Sequence, residues 1–429
     1  MADQDEGKGR RRFIRATGLA GLGAGALILG KQDSAKANHA HVAWQDEGIA
    51  KGTAGTVNVV GAGASVAVAN GVATVTIPGG GGPPPTPPSH RRFVSSTGSD
   101  TTGNGSEGNP FRQIQKAYDD LGPNDNRDAS GWIGVETGTY NPVTMDARKK
   151  ATVEGLNGLP AFPIGFDEDQ GAARIVSNGS PQLVLIQTPS GTVDNGFGFG
   201  FKNIAFQTSH AATLTGIFAR ACCPHVEHCV FAANQSLAAH DAAIFVKTDV
   251  DASHNDDASW VTMVDNFVLF AAICQLGQAP DSGGENSNRH VVSGNRAWGR
   301  GTGVTGARAL IELTNCHGAY VAANNLEGAA VGERWNWCWG CTTIGNAGET
   351  VGVFWDGYGI NGGIVAPTGE SVFTAGHKYV RGDATNTVTN VQFFLPSVPN
   401  PYPDSAIDLP HRSQNYVVTG LSQSPANRP

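Results

Sequence analysis

Residues 240–260 read HDAAIFVKTDVDASHNDDASW and hold Asp241, Asp249, Asp251, Asp256 and Asp257, with Lys247 and His254 among them. Close carboxylates serve two kinds of chemistry. A pair can protonate and attack a glycosidic bond, which makes Asp256 and Asp257 the catalytic candidates. A carboxylate group can instead hold Ca²⁺ through oxygen ligands, for which Asp249 and Asp251 are the candidates. The metal would then neutralise a uronate carboxylate while Lys247 or Arg289 removes the neighbouring proton. His254, His290, Arg296 and Arg300 are the candidate substrate-binding residues, because Arg289, His290, Arg296 and Arg300 follow this insertion one coil later and are expected on the same face. The bland alternative is a solvated acidic loop.

A second stretch, CCPHVEHCVF at 222–231, places Cys222, Cys223, His225, His228 and Cys229 within eight positions. Alone it resembles a zinc site, which needs about four converging ligands. Its alternation argues otherwise. A strand that turns Cys229 inward and uses His228 at a bend does not aim both at one ion. Cys229 is expected as a small core residue. Cys338-Trp-Gly-Cys341 has redox spacing but no βαβ surroundings, so rung packing or a local disulfide is expected there. Seven cysteines are an odd number, and one must stay free or pair between chains.

The elements that position these residues repeat along the chain. FKNIAF, VEHCVF, VDNFVLF, VSGNRAW and VAANNLEG share a pattern in which a turn residue precedes alternating inward positions. The expected turn residues are Asn203, His228, Asn266, Asn295 and Asn324, with Asn346 as a sixth; their steps are 25, 38, 29, 29 and 22 residues. Asn suits sharp bends because it tolerates the left-handed region and bonds its own backbone. Stacked Asn turns form ladders. The longest step contains the aspartate-rich insertion, and long loops on a rigid scaffold are where function concentrates.

Upstream, RFVSSTGSDTTGNGSEGNPFRQIQKAYDDLG gives a strand, a polar loop and a helix from Pro110 to about Leu121. Phe111, Ile114, Ala117 and Tyr118 lie on one face of that helix. This order resembles the start of right-handed parallel β-helix proteins of the pectin-lyase-like class, with Gln113 where that class carries Thr. The resemblance implies an all-β fold, a right-handed parallel β-helix (solenoid) with an N-terminal helical cap. It implies no catalytic residue. Asn255-Asp256-Asp257 and Asn315-Cys316-His317-Gly318 are only fragments of polygalacturonase-like motifs, and pectate-lyase motifs are absent. Arg381-Gly382-Asp383 reads as a chance match to an adhesion tripeptide.

The N-terminus, GRRRFIRATGLAGLGAGALILG, resembles a twin-arginine export signal. Its uncharged stretch is too short for a membrane span, and Ala35-Lys36-Ala37 offers a cleavage site. Residues 38–78 resemble a short β-module of phage tail fibres. Val57, Val59, Val66, Val68, Val72, Val75 and Ile77 suggest three strands in it. The expected organisation is a signal at 1–37, that small β-module at 38–78, a Gly/Pro-rich linker at 79–92, the β-helix at 93–347, and a C-terminal cap and tail at 348–429.

Composition narrows the function. Glycine stands at 58 residues, charged residues at 15% and net charge at −8. The first two favour turn-rich β structure; the third argues against a nucleic-acid surface. Together these readings imply an exported protein, periplasmic, surface-bound or secreted, with no membrane segment in its mature form. It would act on or bind an extracellular acidic polysaccharide as a lyase or glycosidase. The alternatives are a non-catalytic adhesin and a homo-oligomeric shell protein built through a sheet face.

Overall fold

The computed structural model describes residues 42–46, 49–54, 65–69, 72–76, 90–121, 131–158, 172–187, 196–208, 215–220, 222–233, 243–249, 260–277, 287–298, 309–370, 377–382, 388–396, 407–409, 413 and 416–419. The chain divides into two compact units, Met1–Pro85 and Thr86–Pro429. In the first, Val42–Asp46 pairs antiparallel with Ile49–Ala54, and Ser65–Ala69 with Val72–Thr76. The strands expected around Val66–Val68 and from Val72 both form, and Val42–Asp46 with Ile49–Ala54 adds a hairpin that was not expected. Residues 1–37, where an export signal is expected, and Val57 and Val59 lie outside the described residues.

In the second unit, strands recur in a fixed order. A strand of a long, fourteen-stranded sheet is followed by one of a nine-stranded sheet and then one of a ten-stranded sheet. Thr262–Val264, Phe267–Leu269 and Ala272–Gly277 form one such coil. Each pairs in parallel with its counterpart one coil on. This is a parallel β-helix. Coiling does not end near residue 347 as expected. Val353–Tyr358, Lys378–Gly382 and Ile407–Asp408 extend the ten-stranded sheet. Ile360–Ala366, Val388–Phe394 and Val417–Thr419 extend the long one. The Asn turn signal stops at Asn346, before the strands do.

Alternation decides what lies inside. On the long sheet, Ile133, Val153, Phe201, Val226, Met263, Val292 and Val321 occupy successive strands in register and are fully buried. Each such side chain contributes about 1.5–3 kcal/mol through burial. Phe206 and Phe231 both pack on Phe245, with ring centroids 5.5 and 5.2 Å apart. Trp355 meets Trp335 and Phe393 edge-on, each at 5.5 Å.

The helix forms at Ile114–Asp119, shorter than expected, and packs against Arg91–Val94, Gly131–Val135 and Val143–Asp146. Ile114, Ala117 and Tyr118 are its buried residues, and Phe111 before it is buried too. Gln113 makes no capping bond. Asp100 Oδ1 instead accepts the backbone N–H groups of Arg112 and Gln113 at 2.8 and 3.0 Å, satisfying donors the helix start leaves open.

The turn between the long and nine-stranded sheets holds a left-handed residue in six successive coils. These are Asn203, His228, Asp265, Gly294, Ala323 and Gly345, with φ from 50° to 71°. Aligning His228 with Asn266, Asn295 and Asn324 is therefore one residue out. The asparagines follow the left-handed position and point inward, and Cys229 occupies their slot one coil earlier. Asn266 Nδ2 donates to Asn295 Oδ1 at 2.8 Å, Asn295 Nδ2 to Asn324 Oδ1 at 3.0 Å, and Asn324 Nδ2 to Asn346 Oδ1 at 3.1 Å. The Cys229 N–H caps one end, donating to Asn266 Oδ1 at 2.9 Å. At the other end Asn346 Nδ2 and Thr343 Oγ1 donate to Glu333 Oε1 at 2.7 and 2.9 Å. Glu333 is fully buried, its Oε2 has no partner, and burial pushes its carboxyl up to about 7.

Candidate functional site

The outer faces of the sheets differ in how they satisfy themselves. On the ten-stranded sheet, Glu312, Arg334, Asp356, Arg381 and Asp408 stand in register across successive strands. Arg334 Nε and Arg381 Nη2 donate to Asp356 Oδ2 at 3.1 and 2.8 Å. Burial opposes the Asp356 charge, but the bonds from Arg381 and Arg334 outweigh it and hold the carboxyl below its usual range. Alternating charge on neighbouring strands stabilises the pairing. Arg381 is spent inside this ladder.

The long sheet presents different chemistry outward. One row runs Arg91, Trp132, Thr152, Gly200, His225, Thr262, Val291 and Tyr320 on successive strands. The row two residues further along each strand runs Phe93, Gly134, Glu154, Lys202, Glu227 and Val264. Aromatic groups flank an ionisable centre. On one side the Trp132 indole lies across Gly134, where a Cβ would sit 2.3 Å from its ring. It donates to Glu154 Oε2 at 2.8 Å and carries the Arg91 guanidinium 4.5 Å above it. On the other side Arg289 stacks 5.0 Å over Trp260, which is 50% exposed. Tyr320 is 45% exposed, and Trp339, 37% exposed, meets His317 edge-on at 4.4 Å.

The centre itself comes from the PHVEH part of the cysteine-rich stretch. Strand Cys222–Glu227 turns Cys222 and Val226 inward and His225 and Glu227 outward. His225 Nε2 lies 3.4 Å from Glu227 Oε2, and Lys202 Nζ 3.5 Å from the same oxygen. His228 Nδ1 lies 3.3 Å from Glu227 Oε1, and its Nε2 lies 3.6 Å from Asp265 Oδ2. Partial burial works against the Glu227 charge, but the His225 bond and the Lys202 charge prevail, so this carboxyl stays below its usual range. All seven cysteines are buried free thiols. Burial pushes Cys229 up to about 12. Among the described residues, no three or more His, Cys, Asp or Glu side chains converge on a metal position.

The residues singled out from sequence do not gather in one groove. Arg289 lies on the long sheet beside Trp260. Lys247 lies on the ten-stranded sheet, 5.4 Å over the Phe218 ring, and Arg296 on the nine-stranded sheet. His290 is a correction: it is fully buried rather than on an outer face. Its Nδ1 accepts the Val261 N–H at 3.2 Å and its Nε2 lies 2.6 Å from Ser287 Oγ. An acceptor Nδ1 puts the neutral ring's proton on Nε2. The imidazole then donates to Ser287 and cannot act as the base that would activate that hydroxyl. Asp249 ends strand Ile244–Asp249. Asp251, His254, Asp256, Asp257 and Arg300 lie outside the described residues.

Sequence reasoning missed Arg91, Trp132, Glu154, Lys202, Glu227 and Asp265 as a set. A signal was present in HVEH, where ionisable residues two apart interrupt a chain poor in charge.

Fold and face together define a parallel β-helix protein with one chemically distinctive sheet surface. No protein-family model and no curated protein matches the chain. Solved structures similar to it include an alginate lyase from Paenibacillus sp. str. FPU-7, at 11% identity, 78% of this chain, 99% of that chain and a TM-score of 0.44. A lidless DFA-IIIase from Arthrobacter chlorophenolicus A6 is similar at 14% identity, 79% and 91% coverage and a TM-score of 0.44. A tailspike of Acinetobacter phage vb_AbaP_AS12 is similar at 10% identity, 68% and 57% coverage and a TM-score of 0.38.

Proposed function

We propose that this is an exported protein that binds and acts on an extended acidic polysaccharide laid along the outer face of the long sheet. The observation that carries the reading is the pair of outward rows, with stacking groups on both flanks and an ionisable centre between them. Successive strands stand about 4.8 Å apart, close to the length of one pyranose residue. A chain running across the strands therefore meets a new pair of side chains with each sugar. Trp260, half exposed, offers flat apolar surface to a sugar ring, and Arg91 and Arg289, stacked on Trp132 and Trp260, offer cations to carboxylates. The twin-arginine-like N-terminus supports export. Electrophoresis through gels cast with a uronic-acid polysaccharide tests the reading. Trp132→Ala and Trp260→Ala are expected to weaken retardation about tenfold each, about 1.4 kcal/mol. Equal migration of wild type and variants in loaded and blank gels refutes it.

The proposal also includes the insertion that connects the ten-stranded sheet to the long sheet, with Ca²⁺ held by Asp249 and Asp251. Calorimetric titration with Ca²⁺ is expected to show a binding heat that Asp251→Ala removes. No heat in the wild type refutes this element.

A further inference from the structure

We propose that Lys202, His225, Glu227, His228 and Asp265 form a proton-transfer centre that cleaves a uronic-acid-containing polysaccharide by β-elimination. The inference rests on the binding face proposed above and adds the reaction to it.

Hydrogen-bond capacity assigns the roles. An ionised carboxylate only accepts, and Glu227 is held below the usual carboxylate range. His225 Nε2, at 3.4 Å, must therefore be the donor in that contact. The neutral His225 ring then carries its free lone pair on Nδ1. A carboxylate that sets the tautomer of a neighbouring imidazole is the orienting device of many base-catalysed sites. His228 is placed differently. It faces Glu227 through Nδ1 at 3.3 Å and Asp265 through Nε2 at 3.6 Å. A proton on either ring nitrogen therefore faces a carboxylate oxygen. Two imidazoles on one carboxylate thus differ in role, one a base and the other an acid. Lys202 supplies a fixed cation 3.5 Å from Glu227. The imidazole between Glu227 and Asp265 also fills the space a sugar would need for those two carboxyls to act as a glycosidase pair.

The step balances without a cofactor. The C5–H bond of a uronate breaks and His225 Nδ1 takes the proton. The released pair forms the C4=C5 double bond, the C4–O4 bond breaks, and the leaving O4 takes a proton from His228. Lys202 offsets the charge that builds on the uronate carboxylate. Water restores both imidazoles by proton exchange. Glu227 and Asp265 are positioning residues.

The test uses the full chain on a uronic-acid polysaccharide. Unsaturated product is followed by ultraviolet absorbance, and binding by gel retardation in parallel. Wild type is expected to release unsaturated oligosaccharides. His225→Ala and His228→Asn, the latter chosen because Asn tolerates the left-handed backbone at 228, are each expected to lower the rate about 100-fold or more, with retardation weakened at most about tenfold. Glu227→Gln is expected to move the acid limb of the pH–rate profile, which a merely structural loss does not do. Retention of the wild-type rate in both His variants overturns the centre. So does wild-type protein that binds and releases no product, or only saturated ends, and in that case the binding face stands. Wild type that binds no uronate polysaccharide overturns the face and the centre together.

Discussion

Replacing Glu333 by Gln is expected to stabilise the coil that contains it, and only above mildly acidic pH. Glu333 is fully buried at the end of the asparagine ladder. One oxygen is bonded and the other has no partner. Burial is the main cause that lifts its carboxyl from 4.5 to about 7, and bonds from Thr343 and Asn346 only partly oppose it. The folded state therefore binds this proton more tightly than the unfolded chain. Below pH 4.5 the group is protonated in both states and its effect on stability is at its most favourable. Between pH 4.5 and 7 stability falls, because the unfolded chain ionises and the folded one resists. Above pH 7 the loss is complete, at about 3 kcal/mol. Glutamine keeps the accepting oxygen and carries no charge. Glu333→Gln should thus match wild type near pH 4.5 and exceed it by about 3 kcal/mol at pH 8. A stacked solenoid does not have to unfold as one unit, so amide exchange across 331–346 is the appropriate assay, read at both pH values. The reasoning is refuted if the variant differs from wild type by the same amount at pH 5 and pH 8, or is less protected at pH 8.

Two other outcomes follow from the interior. Asn295→Ala removes a side chain that accepts the Asn266 N–H and donates to Asn324 Oδ1 and Met263 O. Those groups stay buried, so a loss of about 3 kcal/mol is expected in denaturant unfolding, and a change under 1 kcal/mol refutes the ladder as a stabilising device. The seven buried thiols should resist a thiol-specific reagent in the native state, because packing denies the reagent access, and at Cys222, Cys229, Cys274 and Cys338 burial also disfavours the reacting thiolate. All seven should react after unfolding, and rapid native labelling of Cys222, Cys223 or Cys229 refutes the packing described for that strand.

Much of the architecture was legible in the one-dimensional pattern. Alternation in VEHCVF and its relatives marks inward and outward residues, because a strand's side chains change face at every step. Asparagine marks the turn because its side chain, turned inward one residue after the left-handed position, both donates and accepts across coils. Even so, Asn266 and His228 look equivalent in sequence. Only φ angles reveal that His228 is the left-handed residue and that Cys229 fills the ladder slot. The end of the solenoid was misplaced for a similar reason, since strands after Asn346 keep their pairing without the asparagine.

The candidate site depended far more on tertiary structure. Which residue faces out is set locally, and His225 and Glu227 announce it by their spacing. Which outward residues become neighbours is set by the length of each coil. Cys229 and Asn266 meet across 37 residues, Asn295 and Asn324 across 29, Asn324 and Asn346 across 22. Insertions of irregular length separate these contacts along the chain while the sheet spacing stays constant. The chain's own order therefore determined a coiled, charge-poor β protein with asparagine-rich turns. Only the register of parallel strands decided that Lys202, His225, Glu227 and Asp265 share one face with Trp132 and Trp260, and that Lys247, His290 and Arg296 do not.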